Sequence, residues 1–367
     1  MRVLIRGTGT IGKPLIRLAL DMQKHLDVKE VLFHKHLPAI EARGMLVDFC
    51  RRGAKLTVDA DKTGQFTELL KPYRLRPHCT FEEAVEQSDV IIDCTDKGIA
   101  RKTRPYYERV AGKKLFIAQG SEKGFGKPYA FDINDAVLDP NADRFLQVVS
   151  CNTHQVLCLL KTLVFDPNNT GDRRFWNMQN LRTADLHLAR RDADISQDEG
   201  IVGPVVDEPS HAFYGTHQAE DAARVLATLT KKKFDIHTAA DVLNQPFMHL
   251  VYFNLFLRET VDRDEVLYRL RKNPLVGVSY LKSVNRVFAE GRERGASGRI
   301  LNQTVCVIPS IEVRSRGRQV IGRCFTPQDG NALLSSVAAM LWFKNPANYL
   351  SRVKTLFFRP PYLFEEV

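Results

Sequence analysis

Cys151 is the residue with the most chemistry to offer. It follows an apolar, strand-like run, Phe145 to Val149, that stops at Ser150-Cys-Asn-Thr153, and it precedes an apolar segment of helical character, Gln155 to Val164. A cysteine at such a junction lies near unpaired backbone N–H groups and the positive end of the helix dipole, which favour thiolate over thiol. Thiolate is the nucleophilic form. The same residue also fits a small buried hydrophobe, the usual state of a cysteine outside disulfides. The elements around it must decide between the two.

The first of those elements is at the N-terminus. Residues 2–6 have the pattern of a short buried strand, and Gly7-Thr-Gly-Thr-Ile-Gly12 follows at once. Ile11, Leu15, Ile16, Ala19 and Leu20 then recur at helical spacing, with Pro14 in a tolerated first-turn position. Strand, G-x-G-x-x-G and helix form the dinucleotide fingerprint. Gly7, Gly9 and Gly12 permit the tight turn and close approach, and the helix N-terminus faces pyrophosphate. The next strand, Val31-Leu-Phe33, ends in His34-Lys35-His36 rather than in the carboxylate that holds the ribose hydroxyls of NAD. Lys35 attracts a 2′-phosphate instead, so NADP is at least tolerated beside NAD.

Further along, Phe81 to Ser88 reads as a helix running into the strand Val90 to Thr95, with Asp96-Lys-Gly98 as a loop at the sheet's carboxyl edge. Leu115 to Ala118 and Phe145 to Val149 supply more strands. This alternation implies a Rossmann-type, doubly wound parallel sheet over 1–150. After residue 150 the texture changes. Strand candidates at 184–189, 248–257, 303–313 and 319–325 mix with helices at about 219–230 and 262–271. That pattern implies an α+β catalytic domain over 151–327 with a mainly antiparallel sheet. An apolar helix within about 328–345, centred on Ala332 to Phe343, is expected to pack back on the first domain. The segment 165–182 and the tail 346–367 carry no assignable role.

Composition narrows the setting. The chain has 367 residues, 44% hydrophobic and 26% charged, as in ordinary globular proteins. No 18-residue apolar run suggests a membrane span, and the start lacks the basic and apolar regions of a signal peptide, so the cytoplasm is the expected compartment. Seven cysteines without a Cys-x-x-Cys pair point to neither a zinc site nor a disulfide framework, and no metal is expected. The net charge of +10 suits phosphorylated small molecules. Its short patches, Lys231-Lys-Lys233 and Arg314-Ser-Arg-Gly-Arg318, read as solvated loops, and nucleic acid is not expected as a partner.

Taken together, the local patterns carry a family resemblance. The chain resembles the archaeal-type (type II) glyceraldehyde-3-phosphate dehydrogenases over most of its length. The matching pieces are Gly7-Thr-Gly-Thr-Ile-Gly-Lys13, Lys35-x-x-Pro38-x-x-Glu41-Ala42, Gln119-Gly-Ser-Glu-Lys123, Val148-Val-Ser-Cys-Asn-Thr153 and Arg190-Arg-x-Ala-Asp194, followed by Thr216-His217, Met248-His249 and Gln328. The resemblance implies a homotetrameric glycolytic oxidoreductase that converts D-glyceraldehyde 3-phosphate to 1,3-bisphosphoglycerate with NAD or NADP and inorganic phosphate. It further implies that Thr10, Ile11, Ser121, Arg191 and Gln328 contact the cofactor. Ser150, Cys151, Asn152, His217 and Gln218 would contact the substrate, and His249 would be the catalytic base.

In that scheme Cys151 attacks the aldehyde and His249 takes the hydroxyl proton of the thiohemiacetal as hydride leaves. The Cys151 N–H and the Asn152 amide serve as oxyanion donors, while Arg190 or Arg191 and His217 orient phosphoryl oxygens. His154 is within reach of Cys151 at i+3 but matches no family histidine. The chain departs from the family at Ser121, where glycine is usual, at His217-Gln218, where His-His or His-Gly is usual, and at Met248-His-Leu-Val251, where a second histidine is lost. These departures keep open another aldehyde or semialdehyde substrate, or a non-catalytic nucleotide- or RNA-binding relative.

Overall fold

The computed structural model describes residues 1–193, 200–328 and 330–367. The chain forms two compact units, and both are discontinuous. One comprises 1–127, 139–148 and 336–353; the other comprises 128–138, 149–335 and 354–367. The expected division is 1–150 and 151–327, with a helix at about 328–345 returning to the first domain. Among the described residues, no helix is long and apolar enough to cross a membrane.

The first unit is built on β1 (Arg2–Arg6), α1 (Gly12–Asp21), β2 (Glu30–His34), α2 (Arg43–Arg51), β3 (Lys55–Val58) and α3 (Thr63–Leu70). It continues through β4 (Cys79–Thr80), α4 (Phe81–Gln87), β5 (Val90–Asp93), α5 (Ile99–Arg109) and β6 (Leu115–Gln119). β7 (Lys127–Tyr129) and β8 (Phe145–Val148) complete a sheet of order β4-β3-β2-β1-β5-β6-β8-β7. The ladders from β4 across to β8 are all parallel. This is the doubly wound arrangement, with the order reversing beside β1. Strands buried on both faces read as unbroken apolar runs, as Val3-Leu-Ile5 and Val90-Ile-Ile92 do.

At the carboxyl ends of β1 and β5 a buried ion pair ties the strands together. Asp93, 1% exposed, accepts from Arg6 Nη1 at 3.0 Å and from Tyr107 OH at 2.8 Å. The glycine turn starts from this clamp.

The second unit begins with α6 (Cys151–Leu160), β9 (Leu181–Arg191), β10 (Val205–Val206), α7 (His217–Ala227), β11 (Ile236–Leu243) and β12 (His249–Leu257). There follow α8 (Arg263–Lys272), β13 (Val276–Ser279), α9 (Val284–Arg294), β14 (Thr304–Val307), β15 (Glu312–Arg314) and β16 (Gln319–Thr326). Its sheet runs β10-β11-β9-β12-β16-β14-β13, mixed but mainly antiparallel, with the β11–β9 and β13–β14 ladders parallel. The expected strand over 303–313 is two short strands, because Pro309 interrupts it with a single 3-10 turn at Ile308–Ser310. The last two helices are α10 (Leu333–Lys344) and α11 (Tyr349–Phe357). The tail then docks on its own unit: Glu366 bridges to Val278, and Ser279 Oγ donates to the Val367 carbonyl at 2.5 Å.

Candidate functional site

In the first unit, the geometry of the glycine turn explains its residue types. Gly7 sits at φ +96°, and a Cβ there would lie 2.8 Å from the Cys94 carbonyl oxygen. A Cβ on Gly12 would lie 2.0 Å from the Gly7 carbonyl oxygen. Gly9, by contrast, faces open space, with nothing within 4 Å of a Cβ. Thr10 and Ile11 carry the chain into α1, whose N-terminus has no side-chain cap. A turn that is tight at its first and last glycines and open at the middle one suits a pyrophosphate resting on the helix end.

Around that turn the charge is positive. Burial and the charge of Lys13 lower the pKa of Lys35, so the two ammonium groups share one neighbourhood. The carboxylate missing from the end of β2 is supplied one strand over by Asp59, but it is already occupied. His34 Nε2 lies 3.2 Å from it, His36 Nδ1 2.6 Å and Lys62 Nζ 3.2 Å. His34 is buried against Phe81, and burial pushes its pKa down to about 4. Ser121 lies beyond β6, next to Glu122, whose buried carboxylate accepts N–H groups at the start of α5, including that of Arg101 at 3.0 Å.

In the second unit, the nucleophile candidate sits where a helix begins. The helix expected over 155–164 starts at Cys151 itself and ends in a π turn at Lys161–Phe165. Ser150 is its N-cap, its Oγ accepting from the Thr153 N–H at 3.4 Å. Cys151 is therefore the first helical residue, and it is half-buried rather than sealed in the core. Asn331 Nδ2 donates to the Cys151 carbonyl at 2.8 Å, which pins the backbone at the sulfur.

Asn152 and Gln155 fasten α6 to the sheet. Thr326 Oγ1 lies between Asn152 Oδ1, at 3.2 Å, and Gln155 Oε1. Gln155 Nε2 donates to Thr304 Oγ1 at 3.0 Å. With its Oδ1 turned toward Thr326, Asn152 has its Nδ2 as the group to offer a bound oxygen. Thr326 is also the ladder partner of His249, so the neighbour of Cys151 and the candidate imidazole flank one residue of β16.

His249 is held from two sides. Its backbone N–H donates to Gln328 Oε1 at 3.1 Å, and its Nδ1 accepts the Arg191 N–H at 2.9 Å. A backbone N–H can only donate, so the lone pair of the ring is spent on Nδ1 and the proton resides on Nε2. Burial, then the charges of Arg191 and Arg190, depress its pKa well below the usual histidine value. Arg191 and Gln328, expected at the cofactor, thus both position this ring. Arg191 Nη1 also reaches the Pro246 and Phe247 carbonyls, at 3.2 and 3.0 Å. Arg190, an expected phosphate ligand, pairs with Asp207. Asp194 of the Arg-Arg-x-Ala-Asp motif lies outside the described residues.

His217 and Gln218 open α7, which packs along α6. His217 is half-buried, whereas Gln218 is 1% exposed with its Oε1 lacking a partner. Only His217 of this pair is presented outward. His154 is excluded as a base because both ring nitrogens are engaged, Nδ1 to the Ser150 carbonyl at 3.0 Å and Nε2 to Ser335 Oγ at 2.7 Å. The residues missed from sequence are Asn331, Thr326, Gln155 and Asp59. The only signal for the first three was polar side chains at strand ends and helix starts in otherwise apolar surroundings.

Comparison with known proteins gives a consistent picture. The chain is similar to the glyceraldehyde-3-phosphate dehydrogenase of Pyrobaculum islandicum, 28% identical over 86% of this chain and 84% of that protein. It is also similar to those of Sulfurisphaera tokodaii, 26% identical over 75% and 71%, and Saccharolobus islandicus, 27% identical over 75% and 72%. No family model matches the chain.

His154 makes the stability of the fold depend on pH. Burial pushes its pKa to about 4. In the unfolded chain it returns to about 6.5. Between these values the unfolded state binds more protons. The stabilisation is complete above about 6.5 and is lost as pH falls, by up to about 1.4 kcal/mol per pH unit. Urea unfolding near pH 7 and near pH 5 should show a smaller difference for His154→Gln than for the parent; equal differences would mean that the native ring is already charged.

Proposed function

We propose that this chain is a phosphorylating glyceraldehyde-3-phosphate dehydrogenase of the archaeal type, working reversibly with NADP or NAD. The observation that carries the reading is the seat of Cys151. It is the first residue of α6, half-exposed, with its carbonyl held by Asn331 and its neighbour Asn152 joined through Thr326 to the ladder rung of His249. Binding alone requires no such support for a sulfur.

The cofactor's groups would be held by the Gly7–Gly12 turn and the start of α1, with Lys35 and Lys13 offered to a 2′-phosphate, which favours NADP. When bound, the nicotinamide supplies the acceptor for the hydride that leaves the substrate carbon. Cys151 attacks the aldehyde as thiolate, so the oxygen becomes an alkoxide and carries no proton to be removed. A neutral His249 therefore acts through its Nε2–H as a donor to that oxygen, beside the Asn152 amide and the Cys151 N–H. This replaces the base role expected for it, because protonating the ring would set an Nδ1–H against the Arg191 N–H. Cys151 then holds the acyl group as a thioester until inorganic phosphate attacks the carbonyl and the thiolate leaves. His217, at the N-terminus of α7, is the remaining ligand for the substrate phosphate, since Gln218 is turned inward.

Steady-state formation of NAD(P)H from glyceraldehyde 3-phosphate, with and without phosphate or arsenate, tests the reading. Turnover should require the anion and vanish in Cys151→Ser. Oxidation of a different aldehyde with the triose phosphate inert would replace the substrate, and silence with every aldehyde would leave a nucleotide-binding relative. In the same assay His249→Ala should cost roughly 100- to 1000-fold in kcat, whereas His249→Gln, which keeps a donor, should retain about tenfold more activity than the alanine variant. Equal losses would restore the ring as a base. Lys35→Ala should raise KM for NADP about tenfold, the scale of one charge-assisted contact, and leave KM for NAD nearly unchanged; parallel changes would remove the 2′-phosphate assignment.

A further inference from the structure

At the other end of the second sheet a cleft of about 570 Å³ is lined by Arg182, Phe256, Leu257, Arg258, Ser315 and Arg318. β12 runs from His249 to Leu257, so this cleft lies roughly 26 Å from the imidazole at ~3.3 Å per residue. It is a separate place from the site already described.

The three arginines are brought together by fixed backbone. The β9–β12 register slips between Phe256, opposite Thr183, and Leu257, opposite Leu181, which leaves Arg182 as the extra residue of a bulge. Bulges re-aim a side chain in this way. Arg258 N–H donates to the Asn180 carbonyl at 2.8 Å, and Leu257 N–H donates to the Arg318 carbonyl at 2.9 Å. The turn before Arg318 is left-handed at Ser315, Arg316 and Gly317, with φ of 51°, 54° and 83°. Gly317 is required there, since a Cβ would lie 2.8 Å from the Val261 carbonyl oxygen, and the Val261 N–H in turn donates to the Gly317 carbonyl at 2.8 Å.

Their charges are not compensated. Among the described residues no carboxylate pairs with Arg182, Arg258 or Arg318, and all three are exposed. Two acidic side chains beside these residues have other partners: Glu259, next to Arg258, accepts from Asn177 Nδ2 at 2.7 Å, and Asp235 accepts from Oγ1 of Thr183, next to Arg182, at 3.1 Å. Lys232 adds a further cation, within reach of the Arg258 charge and bonded only to neutral acceptors, the Met178 carbonyl and Gln179 Oε1. Three guanidinium forks, a serine hydroxyl and an apolar floor of Phe256 and Leu257 match a phosphoanion carried on a small organic body.

We propose that this cleft binds the di- or triphosphate group of a small organic phosphate, as a second anion site remote from the thiol. Calorimetric titration of the full chain with sodium pyrophosphate and with tripolyphosphate tests it. The parent should bind both, and Arg182→Gln/Arg318→Gln should weaken the cleft's share of the isotherm at least tenfold with an unchanged circular dichroism spectrum. Arg318→Lys, which keeps charge but loses the fork, should fall between them and guards against misfolding of the double variant. Identical isotherms for parent and variants, no uptake of either anion, or uptake of single-stranded RNA alone would overturn the proposal. So would variants that change only the sedimentation coefficient, since the arginines would then serve an interface between copies.

Discussion

One backbone N–H, that of Arg191, decides what the imidazole of His249 can do. It donates to Nδ1 from the end of β9, while Gln328 beyond β16 takes the backbone N–H of the same histidine. Both contacts exist because β12 lies between β9 and β16, with Leu250 opposite Ala189 and His249 opposite Thr326. A register slip of one residue on either side would turn the ring to the opposite face of the sheet. The chemistry of the second unit therefore depends on strand pairing as much as on residue identity. Thr326 extends the same dependence to α6, since its hydroxyl meets Asn152 and Gln155 on the turn that begins with Cys151.

Much of this was legible in the chain, and what was not has physical causes. The glycine turn could be read because tight packing leaves no alternative at Gly7 and Gly12. Cys151 could be read because a strand and a helix meet there. The pairing of β12 with β9 and with β16 is a long-range fact that no local pattern encodes, so the contacts by which Arg191 and Gln328 hold His249 had no signal in the sequence. The His249 tautomer is set by a neighbour 58 residues away in sequence. His154, three residues after Cys151, is turned inward to Ser335, a contact that spacing alone does not reveal. The break at Pro309 was legible in principle, since proline cannot donate to a ladder, but the apolar run around it masks the signal.

The excess of positive charge is local in its effect. Lys13 and Lys35 share the glycine turn of the first unit, and Asp59, the carboxylate nearest in type to a ribose ligand, is engaged by His34, His36 and Lys62. Arg190 is matched by Asp207, and Arg6 by Asp93.

The order in which the chain visits its two units has a consequence for biosynthesis. Residues 336–353 belong to the first unit, anchored by Gln119 Nε2 on Ser336 Oγ at 2.8 Å and by Lys344 and Arg352 on Asp27 at 2.8 and 2.6 Å. A ribosome that has released the entire parallel sheet still holds the helices that cover part of it, and it delivers them only after the whole second sheet has emerged. The nascent first unit must wait, with those faces bare, while the roughly 190 residues between 148 and 336 are made, about half of the time of translation. Holdase chaperones are drawn to surfaces of that kind, and no continuous fragment can reproduce either half of the molecule.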